Sequence, residues 1–362
     1  MSIPIDLLCG DIASYLDRKS INSLQLASKD IHDILKRTAC FPWPDSVRFF
    51  NQAYSKCIMF APNGKWLVYA DMNGIITIWE RHKGKFADEQ SSLDWISLLT
   101  ISASSTWLAC ANTIDDKVAI YHLPTATWHE SVKCQSNMNS MVFVHDILCV
   151  TTKTGIGILD VNNATPSSGD EVLGDCGASP SAFRLLHEGT FKFMTPVHWV
   201  EPILAAADMD HQVHLWVLDK NRTDGHRILC HADSIDATHR YVVSMSAIGD
   251  GGVPNGNLAV AGWCYATKTS FIDLWSCTES ALIRRIPIDH KIHVSSLVMV
   301  SKTSWVIADG AIDQVRVWRN FRHYARCQAN PTRMAFTLYK STIAWIGRGS
   351  TLWLRDLDTL VD

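Results

Sequence analysis

The chain has 362 residues, 47% apolar and 19% charged, an ordinary soluble balance with length for a large core and about two domains. A net charge of −3 argues against bulk binding to nucleic acid or to an anionic membrane. The eleven cysteines include no Cys-x-x-Cys pair, and Cys110, Cys149 and Cys264 fall inside strand patterns, so they read as thiols of a reducing compartment. Neither a charged-then-apolar leader nor a membrane-length apolar run is present, so the expected location is cytoplasmic or nuclear.

The first 44 residues form one expected domain. Leu7, Leu8, Ile12, Tyr15 and Leu16 recur at helical spacing, with Pro4 at a first-turn position and Asp6 near the positive helix end. A second short helix carries Ile21 and Leu24. Ser28 caps a third whose Ile31, Ile34 and Leu35 share a face. Phe41-Pro42-Trp43-Pro44 then stops helix formation. Three such helices bury little alone, which leaves apolar surface for the rest of the chain or for a partner.

This segment resembles an F-box. Ile3-Pro4, Asp6-Leu7-Leu8, Ile12, Tyr15-Leu16-Asp17, Leu24 and Ser28-Lys29 stand in that family's order and spacing, with Ile31 where the family usually has Trp. The resemblance implies docking onto the adaptor subunit of a cullin–RING ubiquitin ligase. Pro4, Leu7, Leu8, Ile12, Leu16 and Leu24 would supply the buried face.

Residues 45–362 repeat a different unit. Val47-Arg48-Phe49-Phe50 reads as a lone strand, expected to complete the last sheet of the chain and so remove its free edge. From Phe60 to Glu80, Asn63-Gly64 and Asn73-Gly74 mark tight turns between the runs Ile58–Phe60, Trp66–Ala70 and Ile75–Trp79, a three-stranded meander apolar on both faces. The third-strand pattern returns as Val118-Ala119-Ile120-Tyr121, Val213-His214-Leu215-Trp216, Ile272-Asp273-Leu274-Trp275 and Val315-Arg316-Val317-Trp318. Weaker copies end at Leu159 and Arg355. Trp66, Trp107 and Trp305 open second strands 13, 14 and 13 residues before the closing aromatic. A recurrence near forty residues with four short strands per unit is that of a propeller blade, and counting the units gives seven.

These units resemble WD repeats. The family places an Asp six residues before the closing aromatic, matched by Asp210 and Asp115 and nearly by Asn73, with Asp313 one residue out of register. It also places a His four residues before a first-strand apolar residue, as in His290 with Val294 and His231 with Ile235. The resemblance implies a hydrogen-bonded network of His, Asp and Trp that locks each blade. Gly-His pairs are absent, and the third unit lacks its aromatic.

Two insertions interrupt the period. Residues 162–181 are rich in Asn, Ser, Gly, Pro and acids and read as a long mobile surface loop. Residues 244–257 read as an extended hairpin whose glycines lack the strand-to-helix context of a phosphate loop.

No catalytic constellation emerges. His211 and His214 would point to opposite faces of a strand and so cannot share an ion, His290 and His293 fail likewise, and neither a metal nor a cofactor is expected. Arg316, Arg319, Arg322 and Arg326 fall within eleven residues. They offer a candidate patch for an acidic or phosphorylated segment, against the plainer reading of a solvated blade rim.

The sequence thus predicts a mainly β protein, a seven-bladed WD-repeat-like propeller preceded by a small three-helix F-box-like domain. The expected function is non-catalytic: substrate recognition in an SCF-type ubiquitin ligase, with the adaptor on residues 1–44 and a protein or phosphoprotein target on the propeller. The alternative is a WD-repeat scaffold for complex assembly without a ubiquitin role.

Overall fold

The computed structural model describes residues 46–357 apart from 49–54, 72, 82–84, 130–131, 135–137, 164–182, 199–201, 219–225, 230–239, 251–252, 265–266, 290–291, 293, 310–313, 321, 329–335, 340–341 and 347–350. After a short strand β1 (Ser46–Arg48), the first meander runs β2 (Ser55–Phe60), β3 (Trp66–Asp71), β4 (Ile75–Glu80) and β5 (Lys85–Gln90). Gly64 and Gly74 take φ of 66° and 75°, as the two Asn-Gly turns require. The second sheet holds β6 (Leu98–Ile101), β7 (Trp107–Asn112) and β8 (Lys117–His122), with β9 (Thr127–Trp128) and β10 (Val132–Lys133) both against β8. The third holds β11 (Met141–Val144), β12 (Ile147–Thr151), β13 (Gly155–Asp160) and β14 (Arg184–Glu188).

Two further meanders share one sheet: β15 (Phe191–His198), β16 (Ile203–Asp208), β17 (Val213–Val217) and β18 (Arg227–Leu229), then β19 (Arg240–Asp250), β20 (Val253–Cys264), β21 (Thr269–Ser276) and β22 (Ala281–Pro287). The next sheet is β23 (Val294–Ser301), β24 (Ser304–Asp309), β25 (Gln314–Arg319) and β26 (Arg322–Gln328). The last is β27 (Phe336–Tyr339), β28 (Thr342–Ile346) and β29 (Thr351–Asp356), completed by β1. The first strand of each meander adjoins the next in turn, and β27 returns to β2, so the ring is closed. The closure is the one expected from Val47: β1 runs antiparallel to β29 with Val47 opposite Leu352.

Two expectations are corrected. Among the described residues the strands form six hydrogen-bonded sheets rather than seven separate blades, because β15 bonds to β20 through His198 and Asn255. The cause is the hairpin read in residues 244–257. Its strands β19 and β20 are 11 and 12 residues long, about twice the usual strand, and the overhang reaches the neighbouring meander. The architecture is therefore a mainly β, six-bladed propeller with one blade of double width. The three helices expected over 1–44 lie outside the described residues, and among those described there is no α-helix. The loop read in 162–181 falls almost wholly outside them as well.

The cores lie between sheets. Val68, Ile76, Leu93, Ile96 and Leu108 fill the gap between the first two, and Val144, Cys149, Ile156, Phe191, Leu204 and Trp216 that between the third and the double sheet. Such packing explains why the strands are apolar on both faces. Burial also keeps the thiols protonated: it pushes Cys134 and Cys277 up to about 12 and raises Cys110 and Cys149 further.

The turn between second and third strands is held by a different residue from the one expected. Asp71 Oδ1 accepts from the backbone N–H of Asn73 and Ile75 at 2.8 and 3.0 Å, Asn112 Oδ1 from that of Ile114 at 2.8 Å, and Asp208 Oδ1 from that of Gln212 at 2.8 Å. Each is the last residue of its strand, where a short side-chain oxygen lies next to the N–H groups the turn exposes. Asp115 instead accepts from the Asn112 side-chain amide at 2.6 Å, and Asp210 is exposed. Asp313, His231 and His290 lie outside the described residues.

Candidate functional site: an imidazole cluster between two sheets

Alternation along β17 puts His214 and Trp216 on one face. The β17–β18 register sets Leu215 opposite Arg227, so His226, one residue earlier, stands opposite Trp216 on that same face. The three rings stack: His214 lies 5.6 Å from Trp216 at 9° and 5.2 Å from His226 at 12°, and Trp216 lies 5.2 Å from His226 at 20°. His187 arrives from the third sheet. The β13–β14 pairing slips between Ile156 and Gly157, a bulge that re-aims the outer strand. A Cβ on Gly155 would stand 2.0 Å from the His187 carbonyl oxygen, so only glycine permits this approach. The His187 ring then sits 4.7 Å from His226 and 5.3 Å from Trp216.

One ligand atom from each of His187, His214 and His226 can be chosen so that all lie within 4.8 Å of one another. His214 is buried, His187 half-buried and His226 exposed, so the cluster opens outward from a closed floor. Asp208 orients it. Its Oδ2 accepts from His214 Nε2 at 2.9 Å while its Oδ1 is fixed by the Gln212 N–H, which leaves His214 Nδ1 facing His226 Nε2 at 3.0 Å. Burial, then its imidazole neighbours, holds both His187 and His226 below the usual histidine range, so both favour the neutral form that bears a lone pair.

His211 lies outside β17, in the preceding turn at a φ of 63°, so strand parity does not decide its direction, and it is with His187 and His226 that His214 is brought together. Sequence reasoning missed both partners. His187 belongs to the outer strand of another sheet, and His226 immediately precedes the neighbouring strand β18. The available signal was the pairing register, which sets His226 on the His214 face.

The four arginines form two cross-strand pairs on β25 and β26, Arg316 opposite Arg326 and Arg319 opposite Arg322. Arg316 Nε lies 3.1 Å from Oδ2 of fully buried Asp309. Arg319 donates to the Leu357 carbonyl beside the closing sheet, and Arg322 is exposed. The Arg326 side chain, like Pro4, Leu7, Leu8, Ile12, Leu16 and Leu24, lies outside the described residues, as do His290 and His293.

No family model and no curated protein matches the chain. Solved structures do: 1474 chains match. One belongs to the "Crystal Structure of Mitotic Checkpoint Complex", with a TM-score of 0.62 over 88% of this chain and 91% of that one, at 14% sequence identity. Similarity at that identity speaks for the fold alone. Together with the closed ring of antiparallel meanders, it shows that the chain has a WD40-like β-propeller fold.

Proposed function

We propose that the protein is a non-catalytic interaction module, the substrate-recognition subunit of an SCF-type ubiquitin ligase. In this reading residues 1–44 dock the adaptor and the propeller binds the target, with exposed Arg322 among the contacts to an acidic or phosphorylated segment. The carrying observation is the closure: β1, Ser46–Arg48, pairs with β29 to complete the ring, and the F-box-like pattern occupies the sequence that precedes this strand. Propellers offer broad faces for protein partners, and the pattern around Leu7 and Leu8 is that of a docking helix face.

Co-purification of the full chain with the ligase adaptor tests the proposal. The parent chain should retain the adaptor, and Leu7→Asp with Leu8→Asp should reduce recovery at least tenfold while leaving the propeller's unfolding transition in place. Adaptor recovery that is absent, or unchanged by the double substitution, would instead favour an assembly scaffold without a ubiquitin role.

A further inference from the structure

We propose that His187, His214 and His226 form a binding site for a zinc-class divalent cation, one that clamps the third sheet to the double sheet. The three imidazoles come from β14, β17 and the residue before β18, so one ion would add a tie between two sheets whose shared core here is apolar.

Nitrogen ligands about 2.0–2.1 Å from zinc at tetrahedral angles stand about 3.3–3.4 Å apart. His214 Nδ1 and His226 Nε2 are already 3.0 Å apart, and the whole set spans no more than 4.8 Å, so ring rotations of about an ångström would seat an ion. Asp208 is the outer partner such a site needs. Accepting from His214 Nε2, it fixes the tautomer that presents Nδ1 as a bare lone pair, and its other oxygen is held by the turn backbone. A set of neutral imidazoles selects zinc, copper, nickel or cobalt over magnesium or calcium. Exposed His226 leaves a fourth position open to water.

The plainer alternative is a stack of rings joined by one hydrogen bond. It gives a role to the single His214–His226 contact but none to the His187 nitrogens: among the described residues that ring makes only ring contacts. The site is independent of the receptor reading, since it needs neither the adaptor nor a target.

The test uses the full-length protein stripped by EDTA and titrated with Co²⁺ for its spectrum and with Zn²⁺ against a chromophoric chelator. One ion should bind, giving ligand-field bands without a thiolate charge-transfer band, because the chain's cysteines are the rival donors. His226→Gln and His187→Gln should each weaken zinc at least tenfold, and Asp208→Asn roughly 10–100-fold. Zinc should raise the thermal midpoint of the parent and not of the histidine variants. Both variants alter side chains with solvent access, so their metal-free midpoints should match the parent's. An absence of binding at micromolar zinc, a thiolate band, or an affinity unchanged in both histidine variants would overturn the proposal.

Discussion

Two residues before the closing tryptophan, three meanders place an ionisable side chain at the same register position: His214, Asp273 and Arg316. Asp273 and Arg316 are each answered within their own meander. Arg285, directly across on β22, donates through Nε and Nη2 to the two oxygens of Asp273 at 2.7 and 2.9 Å and lies over the Phe271 ring. Arg316 meets Asp309 from the adjacent strand. His214 is answered by Asp208 on one side only, and its other nitrogen faces imidazoles, one of them supplied by a different sheet. A buried carboxylate and a guanidinium close on each other and fix the blade. An oriented imidazole keeps a lone pair pointing outward, and the same position becomes able to hold a ligand.

The largest expected effect breaks the self-contained type. Arg316→Met keeps the stem's packing but removes the charge facing Asp309, whose side chain is wholly buried. Leaving that carboxylate without its cation should cost about 3 kcal/mol, read as a lower urea midpoint at unchanged m. Arg316→Lys should recover part of the loss, since a point charge restores the attraction without the planar fork. A midpoint within experimental error of the parent for Arg316→Met would mean that the pair is ornamental and the comparison false.

A middling effect targets the other type through its backbone. Gly155→Ala places a Cβ 2.0 Å from the His187 carbonyl oxygen, so β14 must move. Overpacking of this kind costs about 1–3 kcal/mol. It should also displace His187 and weaken zinc binding, whereas Gly157→Ala, whose nearest contact is the Phe183 side chain at 3.3 Å, should do both less. Equal effects at the two glycines would show that the close approach at Gly155 does not position the site.

Much of the ring was legible because its signals are local. The Asn-Gly turns, the two-sided apolar strands and the buried closing residues Trp79, Tyr121, Trp216, Trp275 and Trp318 all fell where periodicity placed them. Val47 could be read as the closing strand because the last meander lacked a fourth of its own. The number of sheets was not legible, since it turns on one long-range pair, His198 with Asn255, formed by an overgrown hairpin. The imidazole cluster was hidden for the same reason. Strand parity sorts residues along one strand, but it is silent about a bulged strand arriving from the next sheet. The turn-holding Asp and Asn residues were misplaced by two or three positions, because a family spacing was followed where an Asx turn at Asp71, Asn112 and Asp208 decides.

The smallest effect separates the two types by acid. The readout is the urea midpoint as a function of pH in chelator-containing buffer, which keeps metal out of the cluster. His187 is held low by burial and by His214, against a raising influence from Glu188; His226 is held low by burial, His187 and His214. A histidine whose folded pKa lies below its unfolded value of about 6.5 binds fewer protons folded than unfolded between those two values. Its contribution is therefore fully present above about pH 6.5 and is lost as pH falls through the folded-state pKa. The urea midpoint should be level above neutrality and decline on mild acidification, gently, because both rings retain contact with water. The His187→Gln, His226→Gln double variant should flatten that decline without altering the midpoint above neutrality. An undiminished decline would place the responsible protons elsewhere, and the cluster would then be a neutral stack whose rings do not feel one another's charge.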